Sequence, residues 1–187
     1  MRDRRQQIME GALDAFLEFG YAATSINTIR QRSGASTGSI YHFFDGKAAI
    51  ALALLREAVD GWSFRSNASG RPNGAENGIK CSVGGLLRWG IDHPKLFRFM
   101  HEVRSRVNFA DEFKEFEREL LEGQIHAADL YASWVEQELV RPHPWPIAYS
   151  LILGPAYLYL ATHGDEPQDH ESATKEIVEA AWQAVKA

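Results

Sequence analysis

The sequence predicts an all-helical protein: an amino-terminal three-helix domain built on a helix-turn-helix, and a larger carboxy-terminal helical bundle that pairs with a second copy. Three observations lead there. No segment alternates apolar and polar residues as a half-buried strand would. Apolar residues instead recur three and four apart along most of the 187 residues, the spacing of one helix face. Between Thr24 and Lys47, two short amphipathic segments meet at Ser33-Gly34-Ala35, a break that suits a helix-turn-helix.

The first helix is expected from Asp3 to Phe19, with Ile8, Ala12 and Phe16 as its apolar stripe, Leu13 and Leu17 beside it, and Gly20 as its stop. Arg2, Arg4 and Arg5 stand at its start, either as a solvated terminus or as an arm reaching a DNA backbone or minor groove. A second helix runs from Ser25 or Ile26 to Arg32. Thr24 and Ser25 offer hydroxyls to the unbonded amides of its first turn, and Ile26 and Ile29 share a face. Gly34 supplies the positive φ of a sharp helix end.

Ser36 or Thr37 then caps a third helix that turns Ile40 and Phe43 or Phe44 inward. Its outward residues, Thr37, Gly38, Ser39, Tyr41 and His42, are small or polar and are suited to base edges and phosphates in a major groove. Lys47 follows the Asp45-Gly46 turn. An ammonium at the positive end of the next helix dipole makes sense beside a phosphate. The candidate DNA contacts are therefore Thr24, Ser25, Ser36, Thr37, Gly38, Ser39, Tyr41, His42 and Lys47, with Tyr41 and Lys47 on phosphates and Thr37, Ser39 and His42 near bases. An ordinary packing unit with a solvated polar face is the alternative reading.

With Asp45 as cap, a fourth helix is expected from Lys47 to about Phe64, linking a DNA-reading domain (1–46) to the rest (47–187). Ser66 to Gly78 holds seven Gly, Asn or Pro in thirteen residues and reads as a loop. Further helices are expected over 79–92, from Pro94 onward, and from Ala110 to Leu139. The connector Arg141-Pro142-His143-Pro144-Trp145-Pro146 leads to two last helices, about 146–163 and 169–185.

The penultimate helix is apolar around much of its circumference and needs cover on more than one side. Leu151, Ile152, Leu158, Ile177, Val178, Ala181, Trp182 and Val185 are the candidate dimer residues, forming a four-helix seam with their symmetry mates. Trp62, Trp89, Phe97, Met100, His101, Arg104, Phe113, Phe116, Tyr149 and Tyr157 could line a small-molecule pocket, with His101 and Arg104 as polar anchors; plain core packing is the competing account.

Composition narrows the classes. The net charge of −5 is unfavourable for a protein that coats DNA nonspecifically, yet the first 66 residues hold 8 basic and 7 acidic side chains while the remainder holds 12 and 18. A near-neutral reading end on an acidic body suits a short binding site. The single Cys81 allows no internal disulfide, which points to the cytoplasm. Ile147 to Ala161, interrupted by Gly154-Pro155, is too short for a membrane span of about 20 residues. The seven histidines show no i, i+4 pairing, so no metal is expected, and no cofactor fingerprint is present. Gly34-Ala35-Ser36-Thr37-Gly38 matches the letters of a nucleophile elbow without the strand such an elbow requires, so no enzyme is expected.

Residues Ile8 to Lys47 resemble the amino-terminal domain of the TetR family of bacterial transcriptional regulators. The likeness rests on Ala12, Phe16, Gly20-Tyr21, Ala23-Thr24-Ser25-Ile26, Ile29, Ser33-Gly34-Ala35-Ser36, Gly38-Ser39-Ile40-Tyr41, Phe44 and Lys47. Two departures stand out: Arg30 where such domains usually carry alanine, and Thr37 where many carry lysine. The resemblance implies a homodimer that binds double-stranded operator DNA and responds to a small-molecule effector in its helical body, most often as a repressor. A helical ligand-binding protein or enzyme, with the helix-turn-helix as scaffold only, is the alternative.

Overall fold

The structure, a computed structural model, describes residues 3–67, 74–105, 113–166 and 169–187. Those residues form helices α1 (Arg4–Phe19), α2 (Ile26–Ser33), α3 (Thr37–Phe43), α4 (Gly46–Asn67), α5 (Gly74–Asp92), α6 (Pro94–Ser105), α7 (Lys114–Glu136), α8 (Trp145–His163) and α9 (Glu171–Val185). The fold is all-α. The β-type pairing among the described residues is one isolated bridge between Val140 and Lys186.

The chain divides into two compact units, Met1–Val59 with Lys95–Glu117, and Asp60–Pro94 with Arg118–Ala187. The three divisions fall within α4, at the start of α6 and within α7.

In the first unit, Asp3 caps α1 by accepting from the Arg5 amide. The helix ends at Gly20, whose φ is 80° and whose amide donates to Phe16 O at 2.9 Å. Ile8, Met9, Ala12, Ala15 and Phe16 are buried on the face the apolar spacing predicts. Phe16 stacks on Phe99 of α6 with ring centroids 5.4 Å apart. Helix α2 crosses α1 where a side chain would not fit: a Cβ on Gly11 would lie 2.7 Å from the Ser33 amide nitrogen. This contact brings the two backbones together and sets the depth to which Ile29 sinks into the core.

In the second unit, α5, α8 and α9 pack on one another. Trp89 of α5 is buried, and the absence of a side chain at Gly61 accommodates its indole, whose Nε1 lies 2.4 Å from where a Cβ would stand. Lys80 bridges α5 and α9 through Glu179 at 2.6 Å while also pairing with Glu76 at 2.6 Å. Lys80 in turn holds the Glu179 carboxyl below its ordinary range, so this link is present at neutral pH and is lost as acid protonates Glu179.

Two predicted boundaries need correction. Helix is present at both ends of the loop expected over 66–78: α4 continues to Asn67 and α5 begins at Gly74. Ala75 and Ile79, four residues apart, are both buried, and the Glu76–Lys80 pair supports the same turn. Burial and pairing outweigh the poor helix propensity of Asn77 and Gly78. Helix α7, expected to reach Leu139, stops at Glu136 because Glu138 adopts φ 57° and turns the chain so that Val140 pairs with Lys186. Its expected start at Ala110 lies outside the described residues.

Gly11→Ala should destabilise the first unit by about 1–3 kcal/mol, the usual cost of overpacking, because the facing atoms are backbone. Thermal unfolding followed by circular dichroism measures this; an unchanged midpoint would contradict the close α1–α2 contact.

Candidate nucleic-acid interface

Helices α2 and α3 are each started by a serine. Ser25 accepts from the Thr28 amide at 3.1 Å, and Ser36 accepts from the Ser39 amide at 3.1 Å. Between them Gly34 sits in the left-handed region at φ 64°, where an L side chain would be strained. These three residues fix where α2 ends and α3 begins, and Ile29, Ala35, Ile40 and Phe44 anchor the pair from beneath. Ile40 is the buried residue of α3.

The outer face of α3 is open. Thr37, Gly38 and His42 are exposed, and Ser39 is half-buried. Tyr41 is 56% exposed, and a Cβ on Gly38 would meet nothing within 4 Å. A seven-residue helix with one polar face outward and no cover has the size and chemistry to enter a major groove. Phe43, one of two candidates for the inward position, is 38% exposed and its ring lies edge-on to His42 at 4.8 Å; Phe44 takes the buried place.

Two of the predicted contacts stand elsewhere. Thr24 is only 2% exposed, and its hydroxyl donates to Gly20 O at 2.8 Å or Ala15 O at 3.1 Å. It closes the carboxy-terminal end of α1, so its hydroxyl is already engaged within the unit. The cap of α2 comes from Ser25 alone. Lys47 does not wait for an anion at the helix dipole. Its ammonium donates to Tyr21 O at 2.9 Å and Ala22 O at 3.2 Å and lies 4.5 Å from the centre of the Tyr21 ring. The dipole argument for a phosphate there is corrected: carbonyl oxygens and an aromatic face already compensate the charge.

The basic start of α1 is also engaged. Arg5 lies 5.1 Å over the Phe44 ring and reaches Met9 Sδ at 3.2 Å. Sequence reasoning passed over one pair. Asn27 and Arg30, one turn apart on α2, are both exposed, and the Arg30 guanidinium donates Nε and Nη2 to Asn27 Oδ1 at 3.1 and 3.0 Å. The i, i+3 spacing of an amide and an arginine was the available signal.

The residues proposed for a pocket divide between the units. Phe97, Met100, Phe113 and Phe116 are buried in the first unit, where His101 is half-buried and stacks on Phe97 at 5.8 Å. Trp89 is buried in the second unit, and Trp62, Tyr149 and Tyr157 are half-buried there, with Trp62 edge-on to Tyr157 at 6.4 Å. The side chain of Arg104 lies outside the described residues. Among the dimer candidates, Ile152, Ala181 and Val185 are buried within their own unit and are corrected as seam residues. Leu158 is 67% exposed; Leu151, Ile177, Val178 and Trp182 are half-buried. Among the described residues no helix is long and apolar enough to cross a membrane, and no group of three or more His, Cys, Asp or Glu is placed to hold a metal ion.

A capped two-helix unit with a polar outer rod is a helix-turn-helix. Residues 8–54 match the bacterial regulatory proteins of the tetR family. The HTH-type transcriptional regulator BetI of Escherichia coli O9:H4 (strain HS) is 29% identical, across 79% of this chain and 89% of BetI. The ketosteroid transcriptional regulator KstR2 of Mycobacterium tuberculosis shares the fold with a TM-score of 0.81 at 17% identity, covering 100% of this chain and 97% of that one. A TetR family transcription regulator from Marinobacter aquaeolei VT8 gives 0.75 at 20% identity, covering 98% and 95%. Residues 8–54 are thus similar to the DNA-binding domain of tetR-family regulators, and most of the chain is similar to a transcriptional regulator.

Replacing Thr24 by valine keeps the shape and removes the hydroxyl that closes α1. The first unit should lose about 1–2 kcal/mol of stability, the usual cost of a buried hydrogen bond lost without a replacement. Denaturant unfolding measures the loss; no change would show that the two carbonyls do not need the hydroxyl.

Proposed function

We propose that this protein is a cytoplasmic repressor that binds a palindromic operator as a homodimer and releases it when a small molecule occupies its carboxy-terminal part. The observation that carries the reading is the outer face of α3, where Thr37, Ser39, Tyr41 and His42 project from a helix that Ile40 anchors below. Thr37, Ser39 and His42 are assigned to bases and Tyr41 to a phosphate, with Ser25, Ser36 and the Gly38 backbone close to the strand.

Self-association is supported by α8. Ile147 and Leu158 are 50% and 67% exposed, and with the half-buried Leu151 they stand four and seven residues apart on one helix face. An apolar row of this kind is costly in water and gains from a matching copy. On α9, Ile177, Val178 and Trp182 provide the neighbouring surface. A seam of about 1,500 Å² is the size a stable pair needs. Two recognition helices would then read half-sites about one helical turn or more apart.

For the effector, the half-buried aromatics Trp62, Tyr149 and Tyr157 of the second unit offer apolar walls. Because the chain passes from one unit to the other within α4, ligand in the second unit is proposed to tilt that helix and shift the population toward heads that no longer match the operator spacing.

Selection of duplexes from a random-sequence pool tests the reading. An inverted repeat should be enriched, and Tyr41→Ala should weaken binding to it by at least several-fold. A pool that shows no enrichment would remove the assignment to operator DNA. Leu158→Glu should halve the mass measured by light scattering at micromolar concentration; an unaltered dimer mass would exclude α8 from the seam.

A further inference from the structure

The cations of the first unit differ in how they are held. Arg32 is paired with Glu18 and lies 5.5 Å over the Phe19 ring. Lys95 is paired with Asp14 at 2.8 Å. Lys47 is bonded to two main-chain carbonyls. Arg30 alone of these four is exposed and held by a neutral group: among the described residues its partner is the Asn27 amide oxygen, and no carboxylate is bonded to it.

The manner of holding matters. A guanidinium carries five N–H donors in a planar fork. Asn27 Oδ1 takes one from Nε and one from Nη2, both on the same edge. The opposite edge, with both Nη1 hydrogens and the second Nη2 hydrogen, remains available for two oxygens of one anion. Because the tether is an amide, the full positive charge is retained. Side chains on a helix lean toward its amino terminus, and the bond to Asn27 draws Arg30 back one turn toward the end of α2 that carries Ser25 and Thr28. In a helix-turn-helix the first helix crosses the sugar-phosphate backbone.

We propose that Arg30, oriented by Asn27, is a DNA phosphate contact. The contact sets affinity and register and does not read sequence. Asn27 acts through Arg30 as a positioning residue. The proposal rests on the reading of the chain as a DNA-binding regulator.

The test uses the full-length protein and the duplex recovered from the random pool, with a scrambled duplex of equal length as comparison. Dissociation constants are measured by fluorescence anisotropy across a salt series for the native sequence, Arg30→Ala, Arg30→Lys, Asn27→Ala and the double variant Asn27→Ala with Arg30→Ala. Arg30→Ala should weaken binding to both duplexes by about tenfold and lower the salt slope by about one, as expected for one lost phosphate contact. Arg30→Lys should restore the slope and only part of the affinity. Asn27→Ala should weaken binding in the native background and have no effect in the Arg30→Ala background.

Unchanged affinity and slope for Arg30→Ala would overturn the proposal, as would a loss confined to the selected duplex, which would mean base recognition. An equal effect of Asn27→Ala in both backgrounds would refute its positioning role. Failure of the native protein to select any duplex would instead refute the DNA-binding reading. Both residues are exposed and alanine favours helix, so circular dichroism spectra of all variants should superimpose.

Discussion

The angle between α2 and α3 is the constraint on which the DNA-reading face depends. It is set by short-range means: a serine at the start of each helix, Gly34 in a conformation other residues avoid, and the approach of Gly11 to the Ser33 backbone. Ile29 and Ile40 are fully buried only because that angle turns both toward α1. With the apolar demand of α3 met on one side, its other side is free to carry polar groups. The open row from Thr37 to His42 is thus a consequence of packing below it.

The same economy governs the charges. In the first unit Arg32 and Lys95 are engaged by acids, Lys47 by carbonyls, and Arg5 by an aromatic ring. Lys47 illustrates the point. Its ammonium holds the turn after α1 against the start of α4 through Tyr21 and Ala22, so it contributes to the folded head whether or not a duplex is present. A weakly charged head of this sort gains little from nonspecific polyanion binding, which is dominated by counterion release.

Much of this was legible in the sequence, and the exceptions have physical causes. Ser36 and Gly34 announced themselves because capping and positive φ each favour few residue types. Thr24 was misread because a hydroxyl beside Ser25 serves equally well as a cap or as a lid on the preceding helix, and only the turn at Gly20 decides. The start of α5 was hidden by Asn77 and Gly78, whose unfavourable propensity is overcome by burial of Ala75 and Ile79, a tertiary effect. On α8, Ile152 and Leu158 look alike as letters because the helix is apolar all round; which of them faces α5 and α9 is settled by packing alone. Arg30 was recognised as a departure, but its tether to Asn27 depends on a rotamer.

The central claim is that the exposed side of the helix-turn-helix is the surface that meets DNA. Amide hydrogen exchange of the full-length protein, with and without the selected duplex, tests it directly. The account predicts new protection over residues 25–30 and 36–43, with little change in α5 and α9. Protection absent from 36–43 while the duplex is bound, or confined to the second unit, would contradict it.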